Sequence, residues 1–206
     1  MDNYKRLISD INNHVKQRSK RDLILDNISS ARMIGQPNVK NPIAQHVECN
    51  SDKGLLLIGN PGVGKTTIML CLAKIKPINF VSFPILFRAI QNKTVSLSSF
   101  FKNSRTRIDE FDNDAGLECK TTKLIDCFDD VGAIDDEVID FGNRINPFKE
   151  IVLNRYHHYE VTGEMQTMCV TSNLNDDGFI QKYGAQTWDR LREMCCIIIM
   201  SGKSLR

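Results

Sequence analysis

The sequence predicts an α/β fold, a parallel sheet of about five strands flanked by helices, and three observations carry that expectation. From Leu55 onward short apolar runs alternate with helical patterns. The runs are apolar on both faces, as strands covered on two sides are. Three of them also close on polar groups: "LLLI" leads into "GNPGVGKTT", "KLIDCFDD" ends in two carboxylates, and "TMCVTSN" ends in Thr171, Ser172 and Asn173. Ligands of parallel α/β sheets gather at the carboxyl ends of the strands.

Each element has its own signal. Leu55–Ile58 reads as a buried strand, followed by a glycine-rich loop and a helix over about 65–75. "NFVSF" reads as a strand, and "PILFRAIQN" as a helix with proline in its first turn. Residues 93–121 are polar and read as irregular. "KLIDCFDD" is the next strand, "PFKEIVLNRYHHYE" a helix and "TMCVTSN" a strand. "FIQKYGAQTWDRLREM" gives two short helices and "CIIIM" the last strand. Upstream, Tyr4, Leu7, Ile8, Ile11 and Val15 share one face of an amphipathic helix over 1–21. Its basic end, Lys16, Arg18, Lys20 and Arg21, is either a solvated helix terminus or an arm for a partner or DNA. Residues 22–53 read as a connection with a short helix around "NPIAQHVE". The organisation expected is a helical and linker segment at 1–50 and a core at 51–206.

Composition sets bounds. A chain of 206 residues, 41% hydrophobic and 25% charged, is that of an ordinary globular domain. Its net charge of +2 does not demand a nucleic-acid partner. No apolar run approaches about 18 residues and the start has no signal-peptide pattern, so a cytoplasmic location with no membrane partner is expected. The seven cysteines form no C-x-x-C pair or zinc-finger spacing. Cys71, Cys127 and Cys169 sit in apolar stretches as small core residues. His157 and His158 read as solvated helix residues.

The segment Gly59, Asn60, Pro61, Gly62, Val63, Gly64, Lys65, Thr66 fits G-x-x-x-x-G-K-[ST] at every fixed position, with Thr67 following. Glycines let backbone N–H groups curl around an anion, and the helix start adds its positive dipole end. Lys65 is placed to reach the outer phosphates of ATP, and the Thr66 hydroxyl to ligand Mg²⁺. Asp129 is the candidate Mg²⁺ carboxylate, direct or through water, and Asp130 the group that orients an attacking water. Asn173 is a candidate contact for the γ-phosphate or that water. Asp126 alternates to the other side of its strand. Asp135, Asp136 and Glu137 are expected to cap the segment that follows.

"KGLLLIGNPGVGKTT", "CFDDVGAID", "VTSNLN", "YGAQTWDRLREM" and "GKSLR" follow one another in that order. Together they resemble the bacterial replicative-helicase loaders of the DnaC kind, a branch of the AAA+ ATPases, in the short form of phages and mobile elements. The resemblance implies an AAA+ phosphate-loop NTPase core without a C-terminal lid domain. It implies Asn173 as the sensor-1 residue, Arg190 as an arginine finger serving a neighbouring subunit, and Arg206 as the sensor-2 arginine. The second strand-end acid is Asp130 where most of the family has Glu. Slow ATP hydrolysis, stimulated by assembly or DNA, is the implied activity, with a replicative helicase as partner and self-association in the ATP state.

A second binding surface is read between Arg88 and Arg107. Lys102, Arg105 and Arg107, with Phe100 and Phe101, are the ingredients for gripping single-stranded DNA by backbone charge and base stacking. The phenylalanines serve equally as core anchors. The related transposase-helper ATPases share the core. A small nucleoside or nucleotide kinase shares the loop but needs an acceptor pocket, and a nucleotide-sensing adaptor would bind ATP with little turnover.

Overall fold

The computed structural model describes residues 52–74, 76–113, 116–140 and 143–202, with Ile43, His46 and Ser204; for 108–113, 116–120 and Asp140 it describes the backbone alone. The expected helix at 1–21 and the terminal Arg206 lie outside these residues. In chain order the elements are β1 (Gly54–Gly59), α1 (Lys65–Ala73), β2 (Ile78–Ser82), α2 (Phe83–Gln91) and a 3-10 turn (Leu97–Phe100). Then come β3 (Thr106–Asn113), β4 (Gly116–Lys123), β5 (Ile125–Val131), β6 (Val138–Asp140), β7 (Asn143–Ile145) and α3 (Pro147–Thr162). The last are β8 (Met168–Ser172), α4 (Asp176–Tyr183), α5 (Ala185–Met194) and β9 (Cys195–Met200).

Five strands form one sheet in the order β2-β5-β8-β1-β9, and every pairing in it is parallel. The architecture is therefore the one the alternation of runs predicts. The side chains of β1 show why its four apolar residues are consecutive. Leu55 and Leu57 enter one core with Ile43, Val63, Ile68, Met69, Cys127 and Cys169. Leu56 and Ile58 enter the other with Phe128, Val170, Phe148, Trp188 and Leu191. A period of two on a strand buried on both faces needs apolar residues at every position. Each such side chain contributes about 1.5–3 kcal/mol on burial.

The helices are bounded by local chemistry. Asn146 caps α3, its Oδ1 accepting from the Lys149 amide at 3.1 Å, and Pro147 fills the first turn. Gly163, at φ 71°, ends that helix. Asn175 caps α4 by accepting from the Gly178 amide at 2.9 Å. Asp136 is wholly buried rather than a cap in its own right. It accepts from the Tyr183 hydroxyl at 2.8 Å and from Nδ2 of the capping Asn146 at 3.1 Å, beside Lys182 Nζ at 3.1 Å. Burial beside that carboxylate holds the Tyr183 phenol far above its ordinary value.

Residues 93–121 depart from the irregular stretch expected. They hold the 3-10 turn and most of an antiparallel hairpin, β3–β4, which pairs Thr106 with Lys123 through to Asn113 with Gly116. A second hairpin, β6–β7, follows β5. Both stand apart from the main sheet, and neither carries an apolar run of the length that reveals its strands. No described helix is long and apolar enough to cross a membrane.

At the amino end of β5, Asp126 is fully buried and faces Arg155, whose Nη2 donates to Oδ2 at 2.5 Å. Asn79 and Arg105 donate to the other oxygen at 2.7 and 3.1 Å. Burial lowers the Arg155 pKa and the Asp126 charge opposes that shift. Removing one partner strands a buried charge. Asp126→Ala is therefore expected to lower unfolding free energy by roughly 3–5 kcal/mol, read as a shift of the urea midpoint; an unmoved midpoint would show the pair to be dispensable.

Candidate functional site

The carboxyl ends of β1, β5 and β8 meet at one place, and the loop after β1 gives that place its shape. Gly62 and Gly64 have φ of 83° and 93°, a region open to glycine and strained for side chains. A Cβ at Gly62 would also lie 2.2 Å from Ser204 Oγ, so the segment after β9 returns to the loop. Asn60 and Pro61 are exposed at the crest, while Val63 is buried and anchors the loop in the core. α1 begins at Lys65 with Gly64 as its N-cap and no side chain capping it. Its first amides and positive dipole end face the loop.

Lys65 is buried, and its Nζ donates to Gly59 O at 2.7 Å, Asn60 O at 3.0 Å and Asn173 Oδ1 at 2.6 Å. One ammonium thus joins the loop to the end of β8. Thr66 Oγ1 donates toward both Asp129 oxygens, at 3.0 and 3.1 Å. The remaining contact comes from Thr171, which sequence reading noted only as part of a polar strand end. Its Oγ1 donates to Asp129 Oδ1 at 2.7 Å and accepts from the Asp130 amide at 3.0 Å. The register of β5 on β8 slips between Phe128 and Val131, and Asp130 sits in that bulge at φ 58°. Ser172 closes the arrangement, donating to Val131 O at 2.6 Å.

Burial raises the Asp129 pKa, and the hydrogen bonds from Thr171 and Thr66 act against the rise. The residues fit the groups that the motif implies. The loop offers glycine backbone, a buried lysine and an uncapped helix start, which is a cradle for phosphates. Asp129 and Thr66 offer adjoining hard oxygen donors, as suits Mg²⁺ bound through one carboxylate, waters and nucleotide phosphates. Among the described residues no group of three or more His, Cys, Asp or Glu could hold a metal by itself.

The structure thus joins Lys65 to Asn173 and Thr66 to Asp129 by hydrogen bonds, with Asp130 next to Asp129 and Thr67 in the first turn of α1. Arg190 lies elsewhere, on α5, with its guanidinium 4.0 Å from the centre of the Tyr156 ring and 3.3 and 3.7 Å from Glu193 and Glu160. Arg105 lies over the Phe100 ring at 4.0 Å and pairs with Asp126. Lys102 and Arg107 are exposed, and Phe100 is a core residue.

A parallel sheet in which β8 stands between the strand carrying the loop and the strand carrying Asp129 defines the phosphate-loop NTPase class of fold. No protein-family model and no curated protein sequence matches the chain. Among solved structures it is similar to DnaI, with 21% identity, a TM-score of 0.49 and coverage of 75% of this chain and 73% of that one. It is also similar to the DnaC helicase loader, with 15% identity, a TM-score of 0.49 and coverage of 79% of this chain and 90% of that one.

A carboxylate with a raised pKa takes up its proton at a higher pH than an exposed aspartate. A divalent cation held by Asp129 should accordingly be lost earlier on acidification. Mn²⁺ titrations between about pH 8 and about pH 5 are expected to show affinity falling above the ordinary aspartate range, and Asp129→Asn should be weak throughout.

Proposed function

We propose that the chain is an ATP-binding and ATP-hydrolysing, helicase-loader-like protein of DNA replication. In this reading it couples Mg²⁺-ATP to assembly on single-stranded DNA and to recruitment of a replicative helicase. The observation that carries the nucleotide part is the convergence of Lys65, Thr66, Asp129 and Asn173 on one loop. The loader part is supported by the order of motifs from Lys53 to Arg206.

Each residue then has a task. Backbone amides of 62–64 and the start of α1 hold the phosphates, and Lys65 exchanges its loop carbonyls for the outer phosphate oxygens. Thr66 and Asp129 hold Mg²⁺, which when bound neutralises charge on the phosphates. Asp130 orients the attacking water and accepts its proton. Asn173, released by Lys65, can turn its amide toward the γ-phosphate. Arg190 completes the site of a neighbouring subunit, and Arg206, by its place in the motif order, serves as the sensor-2 arginine.

The in-trans role of Arg190 gives the decisive test. An arginine supplied this way is worth roughly 10³–10⁵ in rate in GTPases, so hydrolysis per subunit should rise with protein concentration. Arg190→Ala should bind a fluorescent ATP analogue normally and lose that rise. Lys65→Ala should not bind the analogue at all. Mixed, the two variants should regain activity, because one brings a working loop and the other a working arginine. Background hydrolysis at every mixing ratio would remove the finger, and normal binding by Lys65→Ala would remove the ATP site.

The DNA surface is tested apart from Arg105, whose ion pair with Asp126 ties it to the core. Single-strand affinity is expected to fall as salt rises and to fall again in Lys102→Ala, with a shallower salt slope. Fluorescence anisotropy of a labelled oligonucleotide, with the ATP analogue present, reads both. Affinity independent of salt would count against this surface.

A further inference from the structure

Thr171 is 0% exposed, and its single hydroxyl is committed in two directions. A threonine hydroxyl has one proton and two lone pairs. The proton goes to Asp129 Oδ1 at 2.7 Å and a lone pair takes the Asp130 amide at 3.0 Å. Laterally, Thr171 is registered against Leu57 of β1, so its Cα is fixed by the strand that carries the loop. On its other side the ladder to β5 is interrupted between Phe128 and Val131. The bulge takes the Asp130 amide out of the regular ladder, and the hydroxyl supplies its acceptor.

From this geometry we propose that Thr171 is the positioning residue of the divalent-cation site. Through one oxygen it fixes the Asp129 carboxylate against Thr66 and holds the bulge that presents Asp130. The proposal rests on the reading of Asp129 as the Mg²⁺ carboxylate given above. Thr171 itself touches neither metal nor nucleotide; it works through the two aspartates. A carboxylate donated to by Thr66 and Thr171 at once has its plane set from two sides, by α1 and by β8. Neighbours of this kind orient ligands as much as ligands bind metals.

Valine has the shape of threonine without the hydroxyl, and serine has the hydroxyl without the methyl. The full chain is tested as Thr171→Val and Thr171→Ser, with affinity for a fluorescent, non-hydrolysable ATP analogue measured in EDTA and in Mg²⁺. Mn²⁺ binding to the analogue complex is followed by electron paramagnetic resonance. Thr171→Val should keep its affinity in EDTA, because the loop and Lys65 are untouched. It should lose the gain on adding Mg²⁺, with Mn²⁺ bound roughly 10–100-fold more weakly. Thr171→Ser should regain most of that loss and the wild-type Mn²⁺ spectrum. Thr171→Cys, with a thiol that is a weak donor and acceptor, serves in place of valine if thermal unfolding shows the valine variant to be misfolded. Wild-type Mn²⁺ affinity in the valine or cysteine variant overturns the proposal, as does a serine variant no better than valine. If the wild-type chain binds the analogue but gains nothing from Mg²⁺, the reading of Asp129 fails, and the role of Thr171 fails with it.

Discussion

Arg155 projects from α3 into the molecule with its side chain wholly buried, and each of its three side-chain nitrogens finds an oxygen. Nε reaches Phe100 O at 2.8 Å, Nη1 reaches Asn103 Oδ1 at 2.8 Å and Thr167 O at 3.3 Å, and Nη2 reaches Asp126. One planar cation therefore gathers the 3-10 turn, the approach to β8 and the start of β5. Asp126 is in turn registered against Asn79 of β2 and Met168 of β8, and Asn79 donates to it. The net stabilisation from a buried pair is limited by desolvation. Its larger consequence is positional. β5 is held at its amino end by this cation and at its carboxyl end by Thr66 and Thr171, with Cys127 and Phe128 locked in the two cores between them.

That division between the ends of β5 explains what the sequence made legible. Strands buried on both faces announce themselves as apolar runs, and the loop at 59–66 carries its glycines and lysine in fixed order because backbone geometry allows little else. The β3–β4 and β6–β7 hairpins carry no such signal. Their order lies in a backbone ladder that polar residues can build, as the register of Asp109 against Lys120 illustrates. Between β3 and β4 "NDAG" is turn chemistry, and Thr121-Thr122 is strand chemistry. Thr171 was visible as a polar strand end, but its bridging depends on a slipped register, which no one-dimensional pattern records.

Arginines illustrate a different gap. By sequence Arg105 and Phe100 are a cation and an aromatic of the kind that grips a nucleic acid. In the fold they stack on each other, and the guanidinium turns inward to Asp126. Arg190 was read from its motif as a group offered to a neighbour. Within the chain it lies on Tyr156, whose hydroxyl donates to Glu193 Oε2 at 2.5 Å while Glu193 also pairs with the arginine. Composition counts charges and rings; which of them face each other is decided by α3 and α5 packing side by side.

The backbone of Asp130 gives the acid at this position a second selection. At φ 58° it occupies the left-handed region, where aspartate and asparagine are enriched and longer side chains are less at ease. A glutamate here would bring a longer reach and about 1–2 kcal/mol of backbone strain together. The choice of acid is coupled to its neighbour: relieving the strain of a longer acid would take a different bulge, and a different bulge would take another acceptor for the amide that Thr171 now serves. Residues 130 and 171 are on that account expected to change in concert across relatives, as one inherited character in place of two.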